Sequence, residues 1–240
     1  MSKLFAALIR HGDYEQPPGV PSAHLPHPLT AKGRDQASAL GAALAARELA
    51  GEFRIEAQID TSTLRRAWQT GVLIAQALEA ELGRVFEIVS FDGLCERSMG
   101  AMANLRVDEI ARIIADDPRF QTLPPGWKAQ SACKLPVPGA ESLLEAGARV
   151  ATHVDGRLRT LACQNTEPKP EDKDTLKLFV SHGAALRHAA VSLGTLRLEQ
   201  IPGLSMHHCQ PVHIERTAQG TYLHQGGAWK IRAPKQPSLD

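Results

Sequence analysis

The feature that most constrains the fold of this chain is a short apolar run that ends in a charged triplet. Leu4–Ile9 is apolar, and Arg10, His11 and Gly12 follow it directly. The run predicts a buried strand, and Gly12 favours its end at that point. Because α/β proteins bind ligands at the carboxyl ends of parallel strands, Arg10 and His11 are candidates for a site. The alternative is that His11 is a hydrogen-bonded structural residue.

The same pattern occurs again far along the chain. The largely apolar run Leu176–Ser181 is followed by His182 and Gly183, which predicts another buried strand with a histidine at its end. Further patterns predict strands over 54–60, 85–90 and 207–215, helices after Thr30 and over 67–82, 107–116, 142–163 and 184–193, and a terminal hairpin across 217–220. This alternation predicts an α/β three-layer sandwich with a mostly parallel central sheet and helices on both faces.

Prolines interrupt two segments, 13–28 and 101–137. The first predicts a long loop, and the second predicts a small helical and loop insert that acts as a lid on a single domain of residues 1–240. Trp127, Lys128 and Lys134 in this insert are candidates for leaving-group contacts, with exposed surface residues as the alternative. We predict that residues 164–174 form a solvated linker and that the tail from Ala233 is frayed.

Composition excludes several classes of protein. The 240 residues carry a formal net charge of +1, with 43% hydrophobic and 22% charged residues, as in an ordinary soluble domain. Because the chain is nearly neutral, it has no large excess of positive charge that would attract nucleic acid or an anionic membrane. The first apolar run is too short for a signal peptide or a membrane helix. The cysteines are scattered, which favours reduced thiols and a cytoplasmic location.

A histidine-rich stretch raises the question of a metal. His207, His208, Cys209 and His213 are ligand types that suit zinc. Adjacent residues of an extended segment point to opposite faces, however, so they converge poorly on one ion. We therefore expect no metal site and no cofactor.

The residues after the two strands suit a phosphate ester. A guanidinium offers a planar fork of donors that fits phosphate, and a neutral imidazole is a nucleophile near neutral pH. Further candidate segments lie in between: Ser62–Thr70, Leu94–Gly100 and Pro138–Leu143. Taken in this order, and over residues 4–230, the segments resemble the histidine phosphatase superfamily, whose members are phosphoglycerate-mutase-like.

The resemblance implies a role for each matching residue. His11 matches the nucleophile, Glu96 the proton donor, and His182 a second pocket histidine that assists catalysis and binds phosphate. Arg10 and Arg66 match the phosphate-binding arginines, and Ser62 matches a serine that lines the pocket. Arg65 should point elsewhere. Asp13 is the rival acid, although a structural role suits its position better. Each of these residues has a purely structural alternative.

The resemblance favours a phosphomonoester hydrolase that forms a phosphohistidine on a small phosphorylated metabolite or phosphoprotein. His182 is followed by Gly183 rather than aspartate, which is typical of the mutase and small-phosphatase branch. The segment after Gly12 contains neither tryptophan nor asparagine, unlike the mutases. A cofactor-dependent phosphoglycerate mutase stays an alternative, as does a non-catalytic module that binds a phosphorylated ligand or protein. The oligomeric state stays open, a homodimer included.

Overall fold

The computed structural model of the protein describes residues 2–17, 19–20, 24–164 and 173–232, and a mixed sheet forms its centre. The strands of the described chain are β1 (Leu4–Arg10), β2 (Arg54–Ile55), β3 (Gln58–Ser62), β4 (Glu87–Phe91), β5 (Thr175–Ser181), β6 (Leu204–Ser205), β7 (Val212–Arg216), β8 (Tyr222–Gly226) and β9 (Lys230–Ile231). The seven-stranded sheet has the order β4-β3-β5-β1-β7-β8, and β2 also pairs with β5. Strands β1 to β5 are parallel, β7 and β8 are antiparallel, and β6 pairs with β9 separately.

Helices cover both faces of this sheet. They are α1 (Ala31–Leu49), α2 (Arg65–Leu82), α4 (Leu143–Gln164) and α5 (Gly183–Ser192), whereas α3 (Val107–Asp116) lies outside these layers. One apolar core joins the sheet to α1 and α2, and a second joins its other face to α4 and α5. The predicted three-layer α/β architecture with a mostly parallel sheet is therefore confirmed.

Strand β1 shows why its sequence is a continuous apolar run. Ala7 and Ile9 belong to the core with α1 and α2, whereas Ala6 and Leu8 belong to the core with α4 and α5. Successive side chains of a strand point to opposite faces, and both faces are covered here. The side chains of β1 are therefore apolar on both faces as far as Ile9, and Arg10 is its first charged residue.

Two strand predictions were wrong in detail. The expected strand over 54–60 is divided into β2 and β3, because its register along β5 changes: Ile55 lies opposite Leu176, but Asp60 lies opposite Phe179. The expected strand over 207–215 begins only at Val212. The chain turns before that point, where Cys209 has a φ of 51°. The predicted hairpin between β7 and β8 is confirmed.

The parallel strands end at one edge of the sheet. Arg10 lies opposite Ser181, Thr61 lies opposite Val180, and Ser62 lies opposite Phe91. The segments that follow these strands therefore leave the sheet side by side.

Main-chain contact fixes the first loop against α1. The predicted helix after Thr30 is α1; Thr30 caps it, and its side chain accepts a hydrogen bond of 3.0 Å from the Gly33 N–H. A Cβ at Gly12 would collide with the Gly33 carbonyl, and a Cβ at Gly33 would collide with the Asp13 carbonyl. Both glycines are required because the two backbones touch here.

Residues 101–137 stand apart from the layers. This segment, which the structure describes throughout, adds no strand to the central sheet and packs around its own apolar cluster, including Ile110, Ile114 and Trp127. Its two ends meet: the Glu141 N–H donates to the Ser98 carbonyl at 2.9 Å, and the Ala101 N–H donates to the Pro138 carbonyl at 3.0 Å. We call residues 98–101 and 138–141 the neck.

Two further predictions concern the remaining parts of the chain. Most of the predicted linker over 164–174, and the predicted tail from Ala233, lie outside the described residues. Among the helices that the structure does describe, none combines the length and apolar character needed to span a bilayer.

Candidate active site

A cavity of about 550 Å³ opens at the carboxyl edge of the sheet. Four of the predicted site residues line it: Arg10, His11, Arg66 and Glu96. Two others lie beneath this surface, since Ser62 and His182 are fully buried. The structure thus brings all six predicted residues into one cluster, although their roles stay predictions.

The backbone of His11 is held on both sides. Its N–H donates to the Ser181 carbonyl at 3.0 Å, which continues the β1–β5 ladder by one residue. Its carbonyl accepts a hydrogen bond of 2.6 Å from Nδ1 of His208. The next N–H, of Gly12, donates to Thr70 Oγ1 at 3.0 Å. Because the main chain is fixed in this way, the imidazole has little freedom to leave the cavity.

The neighbours of His11 define its tautomer. Nδ1 lies 2.7 Å from the Gly12 carbonyl, which can only accept, so Nδ1 carries the proton. Nε2 lies 3.1 Å from Nε of Arg66, which can only donate, so Nε2 carries none. The ring is therefore a neutral imidazole with its lone pair on Nε2.

His182 is fixed by the same reasoning. Its Nδ1 accepts from Arg66 Nη2 at 3.0 Å, so Nε2 carries the proton and donates to Ser62 Oγ at 2.8 Å. Arg66 is thus joined to both histidines, and it also donates to the Leu25 carbonyl at 3.0 Å. Ser62 supports the cluster from below.

Burial keeps both histidines neutral. It lowers the pKa of His11 well below 6.5, and the charges of Arg66 and Arg10 lower it further. Burial also lowers the pKa of His182, again with the charge of Arg66 as the next cause. Protonation of either ring would place a further positive charge beside these arginines.

Unpartnered polar atoms face this cluster. In the part of the chain that the structure describes, Arg10 Nε and the Tyr14 hydroxyl are buried and have no hydrogen-bond partner. Both residues line the cavity, and the Tyr14 ring lies edge-on to His11 at 5.1 Å between centroids. Buried polar groups normally have partners, so these two atoms are candidates for contacts with the oxygen atoms of a ligand.

Arg66 and its neighbour Arg65 provide a matched test of anion binding. Arg66 is 1% exposed in the first turn of α2, whereas Arg65 is exposed. We expect Arg66→Met to weaken vanadate and phosphate binding by about 2–5 kcal/mol, as for the loss of a desolvated charge pair. Arg65→Met should change the affinity little. Titration calorimetry measures both, with circular dichroism as a check of folding, and equal losses would contradict the assignment.

Glu96 enters the cavity from the loop after β4. Its carboxylate accepts from the backbone N–H groups of Ala184 at 3.2 Å, Ala185 at 3.0 Å and Arg97 at 2.9 Å. Ala184 and Ala185 form the first turn of α5, where unpaired N–H groups favour an anion. These bonds fix the Glu96 carboxylate at the N-terminus of α5, the helix that begins directly after His182.

Arg149 fixes the loop that carries Glu96, and sequence reasoning missed it. Its guanidinium, on α4, donates to the carbonyls of Asp92 and Cys95 at 3.1 Å and of Gly93 at 3.2 Å. It also forms a bidentate pair with Glu141, at 2.8 and 2.7 Å. Tyr14 and His208 were missed as members of this site as well.

Asp13, the rival acid, is engaged elsewhere. Its carboxylate accepts from Thr30 Oγ1 at 2.9 Å, beside the N-terminus of α1. Its backbone N–H donates to Gln36 at 2.9 Å. Asp13 does not line the cavity, and this arrangement matches the structural role that suited it better.

The histidine-rich stretch is dispersed. His208 contacts the His11 carbonyl, whereas His213 contacts Arg47 at 3.3 Å, and Cys209 is buried. Within residues 2–17, 19–20, 24–164 and 173–232, no group of three or more His, Cys, Asp or Glu residues is arranged to hold a metal.

The sheet, its covering helices and the residues at its carboxyl edge define an α/β protein with the phosphoglycerate mutase fold. A family profile described as "Histidine phosphatase superfamily (branch 1)" matches residues 6–227. The chain therefore belongs to the histidine phosphatase superfamily, and the predicted resemblance is confirmed.

Relatives include both mutases and phosphatases. A 2,3-bisphosphoglycerate-dependent phosphoglycerate mutase 2 of Gloeobacter violaceus is 29% identical over 196 residues, which cover 81% of this chain and 77% of the relative. A solved mycobacterial glucosyl-3-phosphoglycerate phosphatase with VO3 is 22% identical, with a TM-score of 0.61 over 96% of this chain and 98% of that one. A phosphoglycerate mutase from Bacillus anthracis is 16% identical, with a TM-score of 0.66 over 94% and 92%. At these identities the solved structures show the fold alone.

Proposed function

We propose that the protein hydrolyses phosphate monoesters through a phosphohistidine intermediate on His11. The observation that carries this proposal is the tautomer of His11, whose unprotonated Nε2 is aimed at Arg66 in a cavity that also contains Arg10. A nucleophilic nitrogen beside buried guanidinium groups is what attack on a phosphoryl group requires. The substrate would be a phosphorylated metabolite or a phosphoprotein.

The arginines bind the phosphoryl group in this proposal. Its non-bridging oxygens take the hydrogen bond that Arg66 Nε gives to His11 in the free protein, which releases the Nε2 lone pair. Arg10 Nε and the Tyr14 hydroxyl, which lack partners among the described residues, offer further donors. Because these groups are already in place, negative charge that develops on the oxygens is stabilised without reorganisation.

Transfer of the phosphoryl group then proceeds in two steps. His11 Nε2 forms a bond to phosphorus as the ester P–O bond breaks, and protonated Glu96 gives its proton to the departing oxygen. In the second step Glu96 takes a proton from water, the water oxygen bonds to phosphorus, and the P–Nε2 bond breaks. Inorganic phosphate leaves, and both residues return to their starting states. The proton on Nδ1 stays with the Gly12 carbonyl throughout.

The mutase alternative shares the first step. It is favoured by the name of the Gloeobacter relative, and it differs in the fate of the phosphohistidine, which a mutase returns to its substrate. A phosphatase admits water instead. In the third alternative, a non-catalytic module, a phosphorylated ligand binds and no transfer occurs.

A panel of phosphate esters distinguishes the three functions. Phosphate release from p-nitrophenyl phosphate and from alkyl phosphates is measured in the presence of chelator, with and without 2,3-bisphosphoglycerate. We expect release that neither addition changes, because the arginines supply the positive charge a metal would otherwise provide. Isomerisation of 3-phosphoglycerate only with the bisphosphate would favour the mutase. Binding of vanadate without release from any ester would favour the non-catalytic module.

A further inference from the structure

Two side chains from distant elements hold the peptide group that follows His11. This group consists of the His11 carbonyl and the Gly12 N–H, and the double-bond character of its C–N bond keeps it planar. The carbonyl accepts a hydrogen bond of 2.6 Å from Nδ1 of His208, which lies between β6 and β7. The N–H donates to Oγ1 of Thr70, in α2, at 3.0 Å. Because the two bonds hold opposite ends of a rigid plane, rotation of this plane would break at least one of them.

Thr70 also joins this peptide group to Arg66. Thr70 is fully buried, and its hydroxyl donates to the Arg66 carbonyl at 2.7 Å. A lone pair of the same oxygen accepts from the Gly12 N–H. The Arg66 side chain then returns to His11, since its Nε lies 3.1 Å from Nε2 of that ring. A closed ring of hydrogen bonds therefore sets the spacing between His11 and the arginine beside it.

The chain next to His208 adopts an unusual backbone conformation. Cys209 has a φ of 51°, in the left-handed region that residues other than glycine rarely adopt. Its N–H donates to the Arg10 carbonyl at 2.9 Å, one residue before the carbonyl that His208 contacts. Residues held in sparsely populated backbone conformations cluster at functional sites. The conformation at Cys209 thus brings a second hydrogen bond to the end of β1.

We infer that Thr70 and His208 are positioning residues, which hold the His11 imidazole at the distance and angle from which Nε2 attacks a phosphoryl group. The inference rests on the proposed function, in which His11 is the nucleophile. Nδ1 of His11 is bonded to the Gly12 carbonyl at 2.7 Å, so rotation of the peptide group between the two residues would move that acceptor and release the ring. Displacement of a reacting atom by about 1 Å costs on the order of 10²-fold in rate.

His208 acts through position rather than through charge. Its Nδ1 faces a carbonyl, which can only accept, so Nδ1 carries the proton. Burial lowers the pKa of His208 to about 4, with the charge of Arg10 as the next cause, so the ring is neutral near pH 7. The neutral ring adds no charge beside His11, although the two ring centroids are 5.5 Å apart.

Vanadate and phosphate separate the position of His11 from the binding of an anion. The arginines hold both anions, but vanadate readily takes a fifth ligand, and its bond to Nε2 resembles the transition state. We expect the wild type to bind vanadate more tightly than phosphate. Thr70→Val and His208→Leu should lower this preference about tenfold or more, with little change in phosphate affinity, because the arginines remain in place. Titration calorimetry measures both affinities.

Conservative variants distinguish positioning from a purely structural role. Thr70→Ser keeps the hydroxyl, and His208→Asn keeps an N–H donor near the place of Nδ1, so both should retain most of the vanadate preference. Thr152→Val is the matched control, because the Thr152 hydroxyl also donates to a carbonyl four residues earlier, at 2.9 Å, but does not line the cavity. In turnover, Thr70→Val and His208→Leu should slow p-nitrophenyl phosphate and alkyl phosphates equally, unlike the loss of a proton donor.

An unchanged vanadate preference in Thr70→Val and His208→Leu would overturn the inference, as would a loss that Thr70→Ser and His208→Asn share in full. If circular dichroism shows that His208→Leu does not fold, Thr70→Val, which keeps the shape of threonine, decides the test. Loss of the preference in these variants, together with a wild type that hydrolyses no ester, would overturn only the proposed function. A wild type that binds vanadate no more tightly than phosphate would overturn both.

Discussion

His11→Ala is expected to lower kcat/KM for p-nitrophenyl phosphate by about 10³-fold or more, since removal of a nucleophile eliminates the covalent path. The wild type, quenched in denaturant during turnover of a ³²P-labelled ester, should carry a label that is stable in base and lost in acid. His11→Ala should carry none. His11 is buried among fixed partners, so thermal unfolding monitored by circular dichroism verifies that the variant folds.

A suitable control is His213→Ala, which removes a histidine that contacts Arg47 in the last turn of α1. It should keep both activity and label. If His11→Ala retained more than a tenth of wild-type activity, His11 would not be the nucleophile.

The pH dependence of kcat/KM gives a further test of His11. Burial lowers the pKa of His11 well below 6.5, so Nε2 stays unprotonated when the pH falls to 6.5. The loss of kcat/KM that His11 protonation causes on acidification should therefore lie well below pH 6.5.

Glu96→Gln should separate esters by their leaving groups. An alkoxide needs a proton in the transition state, a contribution of about 10²–10⁴-fold, whereas nitrophenolate leaves without one. We therefore expect a large loss of kcat for an alkyl phosphate and a small loss for p-nitrophenyl phosphate. Glutamine keeps the size of the side chain and one oxygen, which can accept from the Ala185 and Arg97 N–H groups as Oε1 of Glu96 does, and thermal unfolding checks that the variant folds.

Asp13→Asn is the matched control for this experiment, because Asp13 is the other carboxylate close to His11 in sequence. Its contact with Thr30 places it at the start of α1, so asparagine there should leave the leaving-group dependence unchanged. Should Asp13→Asn show the selective loss and Glu96→Gln not, the proton donor would be Asp13.

The strands that end in the site were predictable because they are buried on both faces. An apolar run that stops at Arg10–Gly12 or at His182 marks a strand end from local sequence alone. Arg66 and Glu96 were found only through the order of motifs, since nothing local distinguishes Arg66 from Arg65. What separates those two arginines is burial against the sheet, a property of the folded chain.

Other members of the site were not predictable, because their contacts join distant parts of the chain. His208 reaches the carbonyl of a residue 197 positions earlier, and a turn with a left-handed residue at Cys209 directs it there. Arg149 acts on carbonyls of residues 92–95, and carbonyls carry no side-chain signal in the sequence. The division of 54–60 into β2 and β3 likewise depends on register along β5.

The neck has a consequence for how this protein can diverge. Because residues 98–101 and 138–141 are hydrogen-bonded to each other, the chain enters and leaves the segment between them at one point. The entropy of closing a loop changes slowly with its length, so insertions or deletions there cost little once the ends are joined. The part of the cavity wall that this segment contributes, at Gly126, Lys128 and Ala129, can therefore be lengthened, shortened or exchanged while the strand ends keep their geometry. We therefore expect that exchange of residues 102–137 between relatives alters the substrate range and leaves the strand ends in place.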